Sequence, residues 1–454
     1  MGGHGGRSAA GARAERSQGA RPEAGDGQPR VARQRGTPPV PRVGGRGLHH
    51  RRAHRGGGSE MRDEQTGIDD LDVYASTLAI DHERLAAARG FSPEQQALVG
   101  FRRRSITPEW EDPVTLAANA ARGLVEEHGA ERFGLLLVAT ETALDFGKPL
   151  SSWVHGLLGL PSGCRNLEVK HACHGGTAAV QLARAWVASP AARGRAALVI
   201  ATDIARRHAG ELPELTAGTG AVAMVVSAAP RLLRLDDVSG VAAQEVHDVS
   251  RPGPLSELAD PVLSLSSYLD LVENAHDDLL GQLDADALED DHLVFHAPLI
   301  SLVRQAHATL LEKERGFPEE TEIAEDFERR VAPTLGLNRE ISNVYSGSVW
   351  VSLASLLLDV EADARRVAIF SYGSGACAEW LRGRIVEGAC ARLRARAIRE
   401  RMDARGLIDL ERYEELVTAG EDNLVAPNLV RRPEGPGFGL LRVERHVRTY
   451  GAQP

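Results

Sequence analysis

Five apolar runs of strand length constrain this chain more than any other feature. They are FGLLLVAT (133–140), AALVIAT (196–202), AVAMVVS (221–227), LVFHA (293–297) and RVAIFSY (366–372). Each is too short for a buried helix and too continuously apolar for a strand with one wet face. Between them lie Ala- and Leu-rich stretches of helical character, TAAVQLARAWVAS, ISLVRQAHATLLE and VSLASLLLD. The alternation predicts an α/β fold, with sheets covered by helices on both faces.

The pattern begins near residue 66 with the strand-like GIDDLDVYAS. Two later segments, LEVKHACHGGTAAV and ISNVYSGSVWVSLASLLL, each run from extended chain through small residues into an apolar helix. This echo predicts two related βα halves around a shared central helix pair. The expected divisions are a half at 66–235, a polar Pro-containing insertion at 236–290, a second half at 291–387, and charged helices over 388–454 packing on the core.

Residues 1–65 are read as a disordered basic tail. The first sixty hold twelve arginines, four acids and no aromatic residue, a net of about +8, so the remainder carries about −18 of the total of −10. Such a segment cannot bury enough apolar surface to offset its ordering entropy, and Met61 is a plausible biological start. An Arg-rich leader also suits an organelle transit peptide, but the glycines and prolines work against the amphipathic helix that such a leader needs. The tail could attract nucleic acid electrostatically, yet no folded reader accompanies it, so no nucleic-acid partner is expected. No membrane partner is expected either: no apolar run reaches the roughly 20 residues of a membrane span. Four cysteines in 454 residues do not make a disulfide framework, which points to a reducing, cytoplasmic setting.

The stretch HACHGGTAAVQL (171–182) carries the chemistry. A thiol at a helix start faces unpaired N–H groups and the positive end of the dipole, which favour the reactive thiolate. Gly175 and Gly176 let backbone or substrate approach closely. One reading of Cys173 is a covalent acyl-carrying nucleophile. A metal site formed by His171, Cys173 and His174 lacks the usual ligand spacing and a second Cys/His cluster. An inert buried cysteine in a tight turn remains open on these residues alone.

ACHGGTAA resembles the nucleophile motif of the hydroxymethylglutaryl-CoA synthase family, within the thiolase superfamily. The resemblance covers nearly all of 66–450, in order. VATETALDFGKPLSSWVHGLLGL is similar to the segment with that family's catalytic glutamate, here Glu141, and FHAPLISLVRQAH to that with its catalytic histidine, here His296. SNVYSGSVWVSLASLL is similar to the asparagine-bearing turn, here Asn343, and FSYGSGACAEW to the Gly-rich loop closing the site. ATDIA and TAGTGAVAMVV resemble the strand pair between them. The resemblance implies a layered αβαβα thiolase-like fold and a homodimer. It also implies substrates that are acyl-CoA or phosphopantetheine-carrier thioesters, with no metal and no other cofactor.

ALDFGKPLSSWVHGLLGL is closest to the polyketide β-branching synthases, which implies acyl carrier proteins bearing acetyl and β-ketoacyl groups as partners. By that resemblance Cys173 carries acetyl and Glu141 removes a methyl proton. The carbanion then adds to the β-ketone of an acetoacetyl thioester held by His296 and Asn343. The N–H groups of Cys173 and Ser374, the latter between Gly373 and Gly375, would form the oxyanion hole. Two other condensing enzymes stay in view, a mevalonate-pathway hydroxymethylglutaryl-CoA synthase and a chain-initiating β-ketoacyl synthase, as does a non-enzymatic scaffold. Three departures from the family pattern stand out: His174 for a Tyr, Arg207 for a Tyr, and Leu299 and Leu302 for a Phe and a Lys.

Overall fold

A computed structural model describes residues 66–206, 209–255, 257–285 and 289–453. The expectations for residues 1–65 and for Arg207 lie outside the described residues. Nine strands make one sheet: β1 (Gly67–Tyr74), β2 (Phe133–Ala139), β3 (Arg165–Val169), β4 (Ala196–Ile204), β5 (Thr219–Ser227), β6 (Leu233–Ala243), β7 (His292–Phe295), β8 (Arg366–Gly373) and β9 (Cys377–Ile385). Their order is β7-β8-β9-β6-β1-β5-β4-β2-β3. All five apolar runs are strands, buried along most of their length.

The helices explain why both faces are apolar. They are α1 (Pro113–His128), α2 (Leu150–Leu157), α3 (Gly175–Val187), α4 (Pro261–Leu283), α5 (Ile300–Arg315), α6 (Ser348–Asp359) and α7 (Leu410–Val425). On β2, Leu135, Leu137 and Ala139 pack into a cluster with α3 and α6, whereas Leu136 and Val138 pack with α1 and α2. On β8, Val367 and Ile369 join that same central cluster, while Ala368 and Phe370 face α4 and α5. The side-chain period of two therefore feeds two different cores from each strand. The result is five layers, α1/α2, sheet, α3/α6, sheet and α4/α5. The two sheet layers are continuous only where β6 meets β1, at Gly67↔Arg234 and Ile68↔Leu233.

Three sequence expectations need correction. The insertion placed at 236–290 begins inside β6, which pairs with β9 and β1, and α4 covers the outer face of the second sheet layer; the excursion is only about 244–260. The polar look of LRLDDVSGVAA reflects a strand with alternating buried and exposed positions. The C-terminal extension is not purely helical, because Asn428–Val430, Gly437–Glu444 and Val447–Gln453 form a three-stranded sheet. The echo is also partial: a short helix, Gly336–Ile341, and irregular turns precede α6 where a strand precedes α3. Among the described residues no helix is long and apolar enough to cross a membrane.

Candidate active site

Strands β2, β3 and β4 run parallel, so their carboxyl ends open on one edge, where α/β sheets place their ligands. Glu141 follows β2, Cys173 follows β3, and Asp203 lies at the end of β4. In the other half β7 and β8 are also parallel; His296 follows β7, and Gly373 ends β8.

The Cys173 thiol donates to Oε1 of Glu141 at 3.2 Å. Helix α3 starts at Gly175 with His174 as its cap, so Cys173 stands just before the cap rather than in the first turn. Ala172 takes a φ of +42°, a costly conformation for a residue with a Cβ, which turns the chain sharply into the helix. Cys173 packs against Ala205, Ala217 and Tyr345.

Two glycines permit close backbone crossings. A side-chain carbon at Gly176 would lie 2.2 Å from the Ser346 carbonyl oxygen, and one at Gly373 would lie 2.6 Å from the His174 nitrogen. The smallness of Gly176 therefore serves the Asn343–Ser346 turn, where the sequence suggested room for substrate. Gly373 brings the Ser374 loop against the nucleophile turn. That loop is pinned by Asp248, which accepts from Gly375 N at 3.0 Å and Tyr372 Oη at 2.9 Å.

His296 is 2 % exposed. Burial, with His174 nearby, pushes its imidazole down to about 3, so it is neutral near pH 7. Its Nδ1 has no hydrogen-bond partner among the described residues. Tyr268 Oη donates to the His296 carbonyl at 2.7 Å. The Tyr268 ring lies 6.4 Å from the His296 ring and 5.0 Å from that of Tyr372, centroid to centroid. His174 is likewise pushed down, to about 4, by burial and His171. Its Nδ1 is 3.1 Å from Ser371 Oγ. Its Nε2 lies 3.8 Å from Glu379, whose carboxyl is pushed up by burial against the hydrogen bond from Gln181 and the charge of Arg184.

Asn343 uses Oδ1 to accept from Tyr345 N at 2.9 Å, which makes it in part the turn residue that its sequence position also suggested. Its Nδ2 donors and the second lone pair of Oδ1 remain for other partners.

Two features escaped the sequence reading. Asp203 accepts from Thr140 Oγ1, Glu141 N and both donors of Thr142 on one oxygen, and from Ser346 N and Oγ on the other. Burial pushes its carboxyl up, and those donors work against that. One side chain thus holds the Glu141 turn and the Ser346 turn together. Its only trace in the sequence is a lone acid in VIATDIA. Arg251 forms the second feature, donating to the Glu141 carbonyl at 3.0 Å and to Glu257 at 3.1 Å, while Tyr345 Oη reaches the same Glu257 oxygen at 2.8 Å.

A cavity of about 930 Å³ borders the site, with Ala205, Asn343 and Glu257 in its wall. Leu299 and Leu302, two of the departures noted in the sequence, line it as well.

Comparison with known proteins finds relatives that span most of this chain. The profile described as "Hydroxymethylglutaryl-coenzyme A synthase N terminal" matches residues 62–230, and its "C terminal" counterpart matches 314–436. The polyketide biosynthesis 3-hydroxy-3-methylglutaryl-ACP synthase PksG of Bacillus subtilis (strain 168) is 33% identical over 367 residues, covering 77% of this chain and 87% of that one. A hydroxymethylglutaryl-CoA synthase of Enterococcus faecalis is 30% identical, covering 85% and 99%. Among solved structures, the curacin biosynthetic pathway HMG synthase superposes with a TM-score of 0.82 at 31% identity, over 86% of this chain and all of that one. The same synthase in complex with acetyl donor-ACP superposes at 0.81 and 29%.

Proposed function

This chain belongs to the hydroxymethylglutaryl-CoA synthase family of carbon–carbon bond-forming acyl-condensing enzymes, and from that premise we propose that it joins acetyl to a β-ketoacyl thioester borne by an acyl carrier protein. The observation that carries the reading is the Cys173–Glu141 contact of 3.2 Å at the carboxyl ends of two neighbouring strands. A thiol and a carboxylate so placed can act in turn on one small acyl group.

The acetyl carbonyl passes from the donor thioester to Cys173 Sγ, and the donor thiol leaves with the proton that Cys173 gives up. Glu141 then takes a proton from the acetyl methyl, which its contact with the sulfur places within reach. The enolate carbon attacks the β-ketone of the acceptor, and the new alkoxide takes up the proton held by Glu141, which restores the carboxylate. His296, neutral, donates a hydrogen bond to the ketone oxygen without placing a full charge beside it. Asn343 Nδ2 supports the same group. The N–H groups of Cys173 and Ser374 face the thioester oxygen, with Gly373 and Gly375 shaping the loop. Water finally releases the product acid and regenerates the thiol. Every step uses acids, bases and thioesters, so no metal or redox cofactor is called for.

A carrier protein rather than free CoA is supported by the likeness to PksG and the curacin synthase. The apolar Leu302, where the family resemblance implies a lysine, points the same way. No disulfide joins any two of the four cysteines, which suits a cytoplasmic enzyme. Strand β3 ends the sheet and leaves one edge unpaired among the described residues; an exposed edge favours pairing with a second copy as a homodimer.

The test separates the steps. Intact mass should show an acetyl adduct on Cys173, which Glu141→Gln retains while condensation falls at least about a thousandfold. Undiminished condensation in Glu141→Gln would favour a chain-initiating synthase, which decarboxylates malonyl units and needs no such base. Acetoacetyl carrier protein should outcompete acetoacetyl-CoA as acceptor; the reverse preference would favour the mevalonate-type reaction.

A further inference from the structure

The two N–H groups that face the thioester oxygen come from different halves of the molecule. Cys173 follows β3, and Ser374 follows β8. Strand β3 ends the sheet and β8 is second from the opposite end, so no ladder of hydrogen bonds joins them directly. Two donors stabilise one oxyanion only when both are aimed at it, and a misplacement of about 1 Å costs about a hundredfold in rate. The distance between the two turns therefore has to be fixed by side chains.

His174 bridges them. It follows Cys173 directly, caps α3 and is buried. Its Nδ1 lies 3.1 Å from Oγ of Ser371, a fully buried residue of β8 that precedes Ser374 by three positions. The backbones cross close by, since a side-chain carbon at Gly373 would lie 2.7 Å from both the His171 carbonyl oxygen and the His174 Cβ. Ser371 pairs across the β8–β9 ladder with Glu379, whose Oε1 accepts from Gln181 of α3 at 2.6 Å. Helix α3 is thus tied to this hairpin twice. The Gln181 tie lies further along the helix and keeps the two halves together, whereas the His174 tie sits beside the nucleophile. Out of water such a hydrogen bond is stronger than at a surface. A tyrosine, which the family pattern has at this position, presents carbon where Nδ1 stands and cannot make the bond.

We propose that His174 is a positioning residue, which through Ser371 aligns the N–H groups of Cys173 and Ser374 on one carbonyl oxygen. The inference rests on the condensing reaction proposed above and goes beyond it by naming what sets its two oxyanion donors. The consequence is kinetic. In acetyl transfer the Cys173 sulfur adds to the acetyl carbonyl and the donor thiol leaves. In hydrolysis of acetyl-Cys173 water adds to the same carbon and the Cys173 sulfur leaves. Both pass through a tetrahedral oxyanion at one place, so loosening the bond slows both by the same factor and leaves donor binding unchanged.

The full-length protein is charged from an acetyl carrier protein, and intact mass follows two rates: appearance of the adduct on Cys173, and its decay in water once the donor is removed. His174→Leu and Ser371→Ala should each slow both rates at least about tenfold, with the KM for the donor within about twofold and the urea midpoint near that of the unaltered protein. The double variant should be no slower than the worse single one, because both cut the same bond. His174→Asn, whose amide can stand at the Nδ1 position, should keep both rates within about threefold. Ser371→Ala removes only a hydroxyl and carries the test should His174→Leu fail to fold. Unchanged rates, loss of one rate only, a rise in KM alone, effects that multiply in the double variant, or an asparagine no better than leucine overturns the proposal. Absence of the adduct in the unaltered protein overturns the condensing reaction itself, and the two failures are told apart by that mass.

Discussion

Asp69 and Asp70 of β1 and the imidazoles of His174 and His296 near Cys173 are all buried, and the protein treats them in opposite ways. Arg231 grips both oxygens of Asp69, at 2.6 and 3.0 Å, and Arg132 adds a third bond. Asp70 receives Arg396 on both oxygens and His128 at 3.0 Å. Burial alone would raise the Asp70 carboxyl, but the His128 and Arg396 hydrogen bonds and the Arg396 charge hold it far below the ordinary carboxylate range. At the other site no arginine among the described residues grips His296 or His174, Glu379 comes no closer to His174 than 3.8 Å, and burial pushes both imidazoles down. Paired charge builds scaffold, and desolvated neutral groups with spare hydrogen-bonding capacity build a reaction centre.

The contrast can be broken first on the scaffold side. Arg396→Met removes the guanidinium that grips Asp70 and leaves it His128 and longer approaches from Arg231 and Arg392, which should cost about 3 kcal/mol of folding free energy, read by urea unfolding. The fraction still folded should acetylate Cys173 normally. The reaction side should behave inversely. His296→Asn is expected to lower condensation about a hundred- to a thousandfold, roughly 3–4 kcal/mol of transition-state stabilisation, with little change in the unfolding midpoint and an intact acetyl adduct. A large loss of stability here, or none of activity, would erase the distinction.

A smaller effect sharpens it through pH. His296 has a folded value of about 3 against an ordinary 6.5. Between those values the unfolded chain takes up a proton that the folded one refuses, so stability falls as pH drops below about 6.5. Each such histidine steepens that fall by about 1.4 kcal/mol per pH unit, and His174 and His82, at about 4 and about 3, contribute likewise. Asp70 works in another window: its folded carboxyl is depressed, so its stabilisation is present above about 3.8 and is lost as pH falls below that. Unfolding free energies measured from pH 7 to pH 4 should therefore decline less steeply in His296→Asn than in the unaltered protein. Identical slopes would show that the imidazole is not held neutral.

The sheet was legible because β2, β4, β5, β7 and β8 are covered on both faces, which writes them as unbroken apolar runs. Strand β6 is only half covered, so its alternation was lost among charges. The C-terminal strands were hidden for another reason: the turn Arg445–His446 takes positive φ at both residues, a hairpin conformation that Asn-Gly usually announces. In the site, Cys173, Glu141, His296, Asn343 and Ser374 were found as motif residues following strands or lying in loops. Asp203 and Arg251 act by bonding backbone groups far away in sequence, and no local pattern encodes a partner 143 residues distant, as Ser346 is from Asp203.

The grip of Asp203 on two turns has an evolutionary consequence. A substitution that shifts the Glu141 turn drags the Asn343–Ser346 turn with it, so neither can drift by itself. Diversity among such enzymes is therefore pushed outward, to cavity-wall positions such as 299 and 302, where a side chain can change size without disturbing the acid, the thiol or the imidazole.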